Sequence, residues 1–145
     1  MNLLSIAHVP PVQITPDSTV YEAIEASIPQ KVGAVAVVEK GKLIGIFTER
    51  DVMVKVVHKK LDPQTTIVRD VMTAPVVTIQ PDLPVRQVLE MMLDKHIRHL
   101  PISSDGKTVQ GMLSIRNVLQ HMVADLQDNL HHMEAYLTAD TPYAG

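Results

Sequence analysis

The chain has 145 residues, 46% of them hydrophobic, and a formal charge of -3, which suits the core of one ordinary domain. That charge, the lack of a basic block and 3% aromatics argue against a nucleic-acid partner, and the absence of cysteine excludes disulfides, thiol nucleophiles and thiolate metal sites. The N-terminal "MNLLSIAHVPP" has no signal-peptide character, and runs such as "VGAVAVV" are too short to span a bilayer; a soluble cytoplasmic protein with no membrane contact is expected.

In chain order, a short extended lead-in at 12–15 precedes a Pro16-Asp17 turn and a helix over about 20–28. Thr19 with Glu22 three residues on forms a capping box for it. Two apolar strands, 34–38 and 43–47, join through a glycine turn, and a second helix starts at Glu49. The polar stretch "HKKLDPQTT" (58–66) reads as a linker. The order then repeats: a lead-in at 76–79, a helix at 85–95 with Pro84 in its first turn, strands at 100–103 and 109–113, and a helix from Ile115.

The repetition is visible in the letters. "ITPDSTVYEAI" from Ile14 and "IQPDLPVRQVL" from Ile79 share Ile, Pro, Asp and Val at an offset of 65, as do "EKGK" and "SDGK". Gly45 and Gly111 are 66 apart, one residue having been inserted after the turn. A duplicated unit of roughly sixty residues is expected, with repeats at 1–60 and 61–125 and a C-terminal extension at 126–145. The fold class is α+β (α/β), each unit being β-α-β-β-α. The last helix is longer than its counterpart, and Leu119, Met122, Leu126, Leu130, Met133 and Leu137 fall on one stripe suited to a partner subunit. The tail 138–145 carries no pattern and reads as disordered.

The stretches "GIFTERDV" (45–52) and "GMLSIRNV" (111–118) carry the chemistry. Capping alone accounts for their spacing: Thr48 starts the helix and Asp51 reaches back, with Ser114 and Asn117 as the second copy. Helix starts after strands are also anion sites. Thr48 and Arg50 add a hydroxyl and a guanidinium for phosphate oxygens, and Asp51 adds a carboxylate that can hold two ribose hydroxyls. Gly45 and Gly111 permit close approach of other backbone.

The duplicated pattern, with "VRDVMTAPVVTIQPD" leading the second copy and "IRHLPI" on its middle strand, resembles a tandem cystathionine-β-synthase (CBS) domain pair over about residues 1–123. The resemblance implies two repeats packed through their sheets with a pseudo-twofold axis, a Bateman module. It implies clefts that take AMP, ADP, ATP, NAD or S-adenosylmethionine, and a disc-like homodimer. Asp51 matches the ribose-binding acid and Thr48 its phosphate or ribose neighbour. Thr73, Pro75 and Val77 match positions lining adenine. Their first-repeat counterparts His8, Pro10 and Val12 face Ser114 and Asn117, and Arg98 and His99 match phosphate contacts. Asn117 departs from the pattern by losing the charge, so the preferred site is expected at Asp51, with ribose held about tenfold more weakly at Asn117.

On this reading the chain is a regulatory adenine-nucleotide sensor acting on a partner in trans, and it is not an enzyme: no nucleophile with an assignable base is present. The alternatives are a dimerisation module whose clefts stay empty, an S-adenosylmethionine sensor, or a metal-dependent enzyme. The last rests on His121, Asp125, Asp128 and His132, which lie opposite the Leu/Met stripe and span too much helix for one ion, so no metal is predicted.

Overall fold

A computed structural model describes residues 1–139. In the first repeat, β1 (Gln13–Ile14) leads to α1 (Val20–Ser27), the hairpin β2 (Ala34–Glu39) and β3 (Lys42–Thr48), and α2 (Glu49–Asp51), whose path widens to a π-helix over Val52–Val57. The second repeat has α3 (Val85–Lys95), β4 (His99–Ile102), β5 (Gly111–Ser114) and α4 (Ile115–Ala139). Helices α2 and α4 begin at the residues the sequence predicts. No helix among the described residues is long and apolar enough to cross a membrane.

Strand β1 pairs parallel to β2, and β2 pairs antiparallel to β3. Lys40 and Gly41 both take positive φ, so the two-residue loop follows the sense of twist that tight hairpins need. The second hairpin departs from expectation: β4 lies one residue earlier at the same length, β5 starts two residues later, and no tight turn joins them. Its loop instead folds around Asp105, whose Oδ1 accepts from the backbone N–H of Lys107 and Thr108, each at 2.8 Å, and from the Ser103 hydroxyl at 3.0 Å. The second lead-in is also shorter than predicted. Only Ile79 pairs, donating to Pro101 O at 3.1 Å and accepting from Ser103 N at 3.0 Å.

Successive residues of β2 point to opposite faces of its sheet. Val35 and Val37 join Val20, Ala23, Phe47 and Val56 under the helices, while Ala34 and Ala36 face the other repeat with Leu43, Ile46, Val109 and Met112. Alanines on that inner face let the two sheets approach closely. The repeats therefore pack through their sheets, with a third apolar cluster between them.

Residues 12–14 and Ile79 pair within their own repeat, but the segments that open each lead-in, about residues 3–8 and 68–73, are exchanged between repeats. Leu3, with no exposed surface, lies in the core of the second repeat with Val88, Met92, Leu100 and Leu113. Its N–H donates to Pro81 O at 2.8 Å. At an offset of 65, Val68 is equally buried in the first repeat's core, and its N–H donates to Ser18 O at 2.8 Å. Further along, His8 N donates to Met112 O at 3.0 Å and Met112 N returns a bond at 3.1 Å. The matching pair is Thr73 with Ile46, at 2.8 and 3.1 Å.

Glycine makes these crossings possible. A Cβ on Gly45 would lie 2.8 Å from Met72 Sδ and 3.0 Å from Thr73 O, and one on Gly111 would lie 3.0 Å from side-chain atoms of both Leu4 and Val9. If the first residues belong to the distant core, Leu3→Ala opens a cavity there. The expected loss is about 2–5 kcal/mol of unfolding free energy in urea titration, and a loss near zero would contradict the packing.

Candidate functional site

Both repeats cap their second helix with a hydroxyl and a side chain three residues on. In the first, Asp51 N donates to Thr48 Oγ1 at 3.1 Å, and Asp51 Oδ2 accepts from Thr48 N at 3.1 Å. Asp51 is only 6% exposed, and its carboxylate has two further partners. The Thr73 hydroxyl donates to it at 3.0–3.1 Å, and Lys55 Nζ lies 3.2 Å from Oδ1. The predicted meeting of Asp51 with the other repeat's lead-in is therefore a direct contact with Thr73.

The second cap has the same form and different chemistry. Asn117 N donates to Ser114 Oγ at 3.1 Å, while Asn117 Oδ1 accepts from Ser114 N at 2.9 Å and from Ser114 Oγ at 2.8 Å. The backbone N–H of Ser114 requires an acceptor, so the amide oxygen must face the cap and Nδ2 must face away from it. Asn117 thus presents donors, where the sequence suggested an acceptor for ribose.

Of the twelve residues selected from sequence, His8, Thr48, Arg98, His99, Ser114 and Asn117 line a single cavity of about 910 Å³ between the repeats. Its apolar wall comes from Ala34, Val35, Phe47, Met112 and Ile115. Lys31, Arg98 and Arg116 line it against one carboxylate, Glu49, so an acidic chain has a cavity of locally positive charge. Val12 lines a smaller adjoining cavity of about 340 Å³ that shares His8 and Gln30 with the first and also includes Pro10.

The remaining residues are elsewhere. Asp51 and Thr73 form the cluster with Lys55, Pro75 and Val77 are exposed on the second lead-in, and Arg50 Nη1 donates to His96 O at 3.4 Å, at the end of α3.

Sequence reasoning missed Lys55, Glu49, Arg116 and Gly33. The first was available as the i,i+4 partner of Asp51. Gly33 accepts from Glu49 N at 2.9 Å, and a Cβ there would sit 2.7 Å from Glu49 Oε1 and 3.3 Å from His99 Cε1. A glycine just before a strand was the available signal. Among the described residues no group of three or more His, Cys, Asp or Glu side chains is gathered as a metal would need.

Comparison with known proteins identifies the family. The sequence model of the CBS domain matches residues 5–58 and again 68–124. The chain belongs to the CBS domain family. This CBS pair is 35% identical over 128 residues to a mitochondrial CBS domain-containing protein of Arabidopsis thaliana, covering 85% of this chain and 62% of that one. It spans less than two thirds of the length of the first curated relatives it matches. The structure of a CBS-domain protein of Burkholderia ambifaria superimposes with a TM-score of 0.78 at 29% identity, covering 86% of this chain and 96% of that one. A CBS domain pair crystallised with 5′-methylthioadenosine and S-adenosyl-L-methionine superimposes with a TM-score of 0.77 at 23% identity, covering 86% and 98%. The two-repeat fold and its pseudo-twofold symmetry are thus those of a Bateman module.

Burial pushes the His99 imidazole below its ordinary 6.5, with Glu49 opposing the shift and Arg98 adding to it. The unfolded chain then binds more protons than the folded one as pH falls below 6.5, so stability is present above that pH and lost beneath it. The urea midpoint is expected to drop between about pH 7.5 and about pH 5.5, and to drop less in His99→Gln. Equal losses in the two proteins would contradict this.

Proposed function

We propose that this CBS pair is a regulatory module that binds an adenine nucleotide (AMP, ADP, ATP or NAD) between its repeats and acts on a partner protein in trans, in the cytoplasm. The observation that carries this reading is the cavity between the repeats, which is lined by Thr48, the cap partner of Asp51, as well as by Ser114 and Asn117. It combines an apolar wall with Arg98, Arg116 and the free Nδ2 of Asn117, at the capped start of the 25-residue helix α4. Apolar surface suits a base, and donors beside a helix N-terminus suit phosphate. The adenosine-containing ligands of the crystallised pair support the same class of ligand.

Asp51 is the residue we assign to ribose, because it carries the charge that Asn117 lacks. Its carboxylate is shared among Thr48 N, the Thr73 hydroxyl and Lys55, so a ribose hydroxyl there takes the place of the Thr73 or Lys55 contact. Thr73 touches it, and Pro75 and Val77 lie exposed further along the same segment; these three are the assigned adenine contacts. At the second cleft the amide of Asn117 donates, so it is assigned to an anionic or carbonyl oxygen rather than to a ribose hydroxyl.

A second reading, a self-association module with empty clefts, is favoured by one observation. Exposed apolar residues recur at equivalent positions: Ile28 with Leu93 at an offset of 65, and Met53 with Leu119 and Val57 with Val123 at 66. A patch repeated about a pseudo-twofold axis suits an isologous homodimer. The two readings are compatible, since a dimer can also bind ligand.

Calorimetry with AMP, ATP, NAD and S-adenosylmethionine decides between them. At least one nucleotide is expected to bind. Asp51→Asn should weaken it by about tenfold, the effect of exchanging a charged for a neutral hydrogen bond, about 1.4 kcal/mol, and Asn117→Ala by less. No heat with any ligand leaves the self-association reading, a larger loss in Asn117→Ala moves the preferred site to the cavity, and turnover of a nucleotide would show an enzyme.

A further inference from the structure

Helix α4 outruns the fold. Val118 is its last buried residue, Met122 its last apolar residue packed against the second repeat's core, and every described residue from Val123 to Thr138 is exposed. Sixteen residues therefore project from the body as helix. Isolated helices shorter than about 12–15 residues are marginal even in alanine-rich sequence, and this one is barely longer and contains Asn129, two aspartates and two histidines.

The structure also refines the stripe. Because Met122 is taken up by its own core, the outward row is Leu119, Val123, Leu126, Leu130, Met133 and Leu137. Its steps are 4, 3, 4, 3 and 4 residues, a strict seven-residue repeat over almost three heptads. That is the pattern of two helices supercoiled left-handedly about a shared seam. Leu119, Val123, Leu126, Leu130 and Met133 are 45–66% exposed.

We propose that this overhang forms a two-stranded coiled coil with α4 of a second copy of this chain. The proposal rests on the self-association described above and gives it a place. Three features favour a second copy over an unlike partner. The residues flanking the seam are Gln120, Gln127 and Glu134 on one side and Met122, Asn129 and Tyr136 on the other, so two identical helices meet without like-charge conflict. Glu134 has an amide opposite it in either direction, the partner subunit's Asn129 when the helices run parallel and the partner subunit's Gln120 when they run antiparallel. The ionisable residues Asp125, Asp128, His131 and His132 occupy the outer positions. The seam is also continuous with the body, because Leu119 and Val123 are the second-repeat counterparts of the exposed Met53 and Val57.

The chain has no cysteine, so introduced thiols report only on their own surroundings. In the full chain, Leu126→Cys/Leu130→Cys places a thiol at both core positions of one heptad. Mild oxidation is expected to give a covalent dimer whether the helices run parallel or antiparallel, while Asp125→Cys/His132→Cys on the outer face should stay monomeric under the same conditions. In sedimentation, wild type is expected as a dimer. Leu126→Glu/Leu130→Glu should leave the circular dichroism of the body intact, with loss of amide protection over residues 124–137 in hydrogen exchange. A wild-type monomer, equal crosslinking of the inner and outer pairs, or an undiminished protection in the Glu variant would each overturn the coiled coil. A dimer that forms with no crosslink at the inner pair would keep self-association through the body and remove this seam.

Discussion

The exchanged lead-ins hold the rest of the molecule in place. Each repeat begins by crossing to the other, filling its core with Leu3 or Val68 and pairing backbone with its last strand through His8 or Thr73. Neither repeat then has a complete core of its own, so the two are expected to fold as one cooperative unit. The backbone approach that makes this possible needs positions without side chains, which is the role of Gly45 and Gly111. The alanines of β2 do the same for the sheets themselves.

That exchange also makes the clefts. Because the second lead-in runs past Gly45, Thr73 arrives at the carboxylate of Asp51. Because the first runs past Gly111, His8 arrives in the cavity beside Ser114 and Asn117. The symmetry of the backbone is close, and the side chains break it. One cleft has a carboxylate already shared among three donors. The other has an amide turned so that it donates, with Arg98 and Arg116 nearby. A single amino-acid difference at the third position of a cap therefore changes what each cap presents, from a carboxylate that accepts to an amide whose nitrogen donates.

Much of this was legible in the sequence. The duplication, the four helices, and the starts of α2 and α4 follow from repeated letters and from capping residues, which act locally. Gly45 and Gly111 were legible as points of close approach because glycine in a strand has few other uses. The core assignment of Leu3 was not, since it depends on contact with residues such as Val88 and Leu113, 85 and 110 positions away. The direction of the Asn117 amide was not legible either, because it is decided by which backbone group needs an acceptor. Nor was the choice of Val123 over Met122 on the outer seam, since both fit a helical stripe and only packing on the core separates them. Asp105 organises the second hairpin loop by side-chain bonds to its own backbone, and its motif "SDGK" looked like the tight turn "EKGK" while behaving differently.

The central claim is that the space made by the exchanged lead-ins receives an adenine nucleotide. The most direct test is two-dimensional NMR of the full chain during titration with AMP, following the side-chain amide of Asn117 and the backbone amides of Thr48, Thr73 and Ser114. The account predicts saturable shifts at these groups and weak ones in the projecting half of α4. Saturable shifts confined to other surfaces, or none with AMP, ATP or NAD, would contradict it.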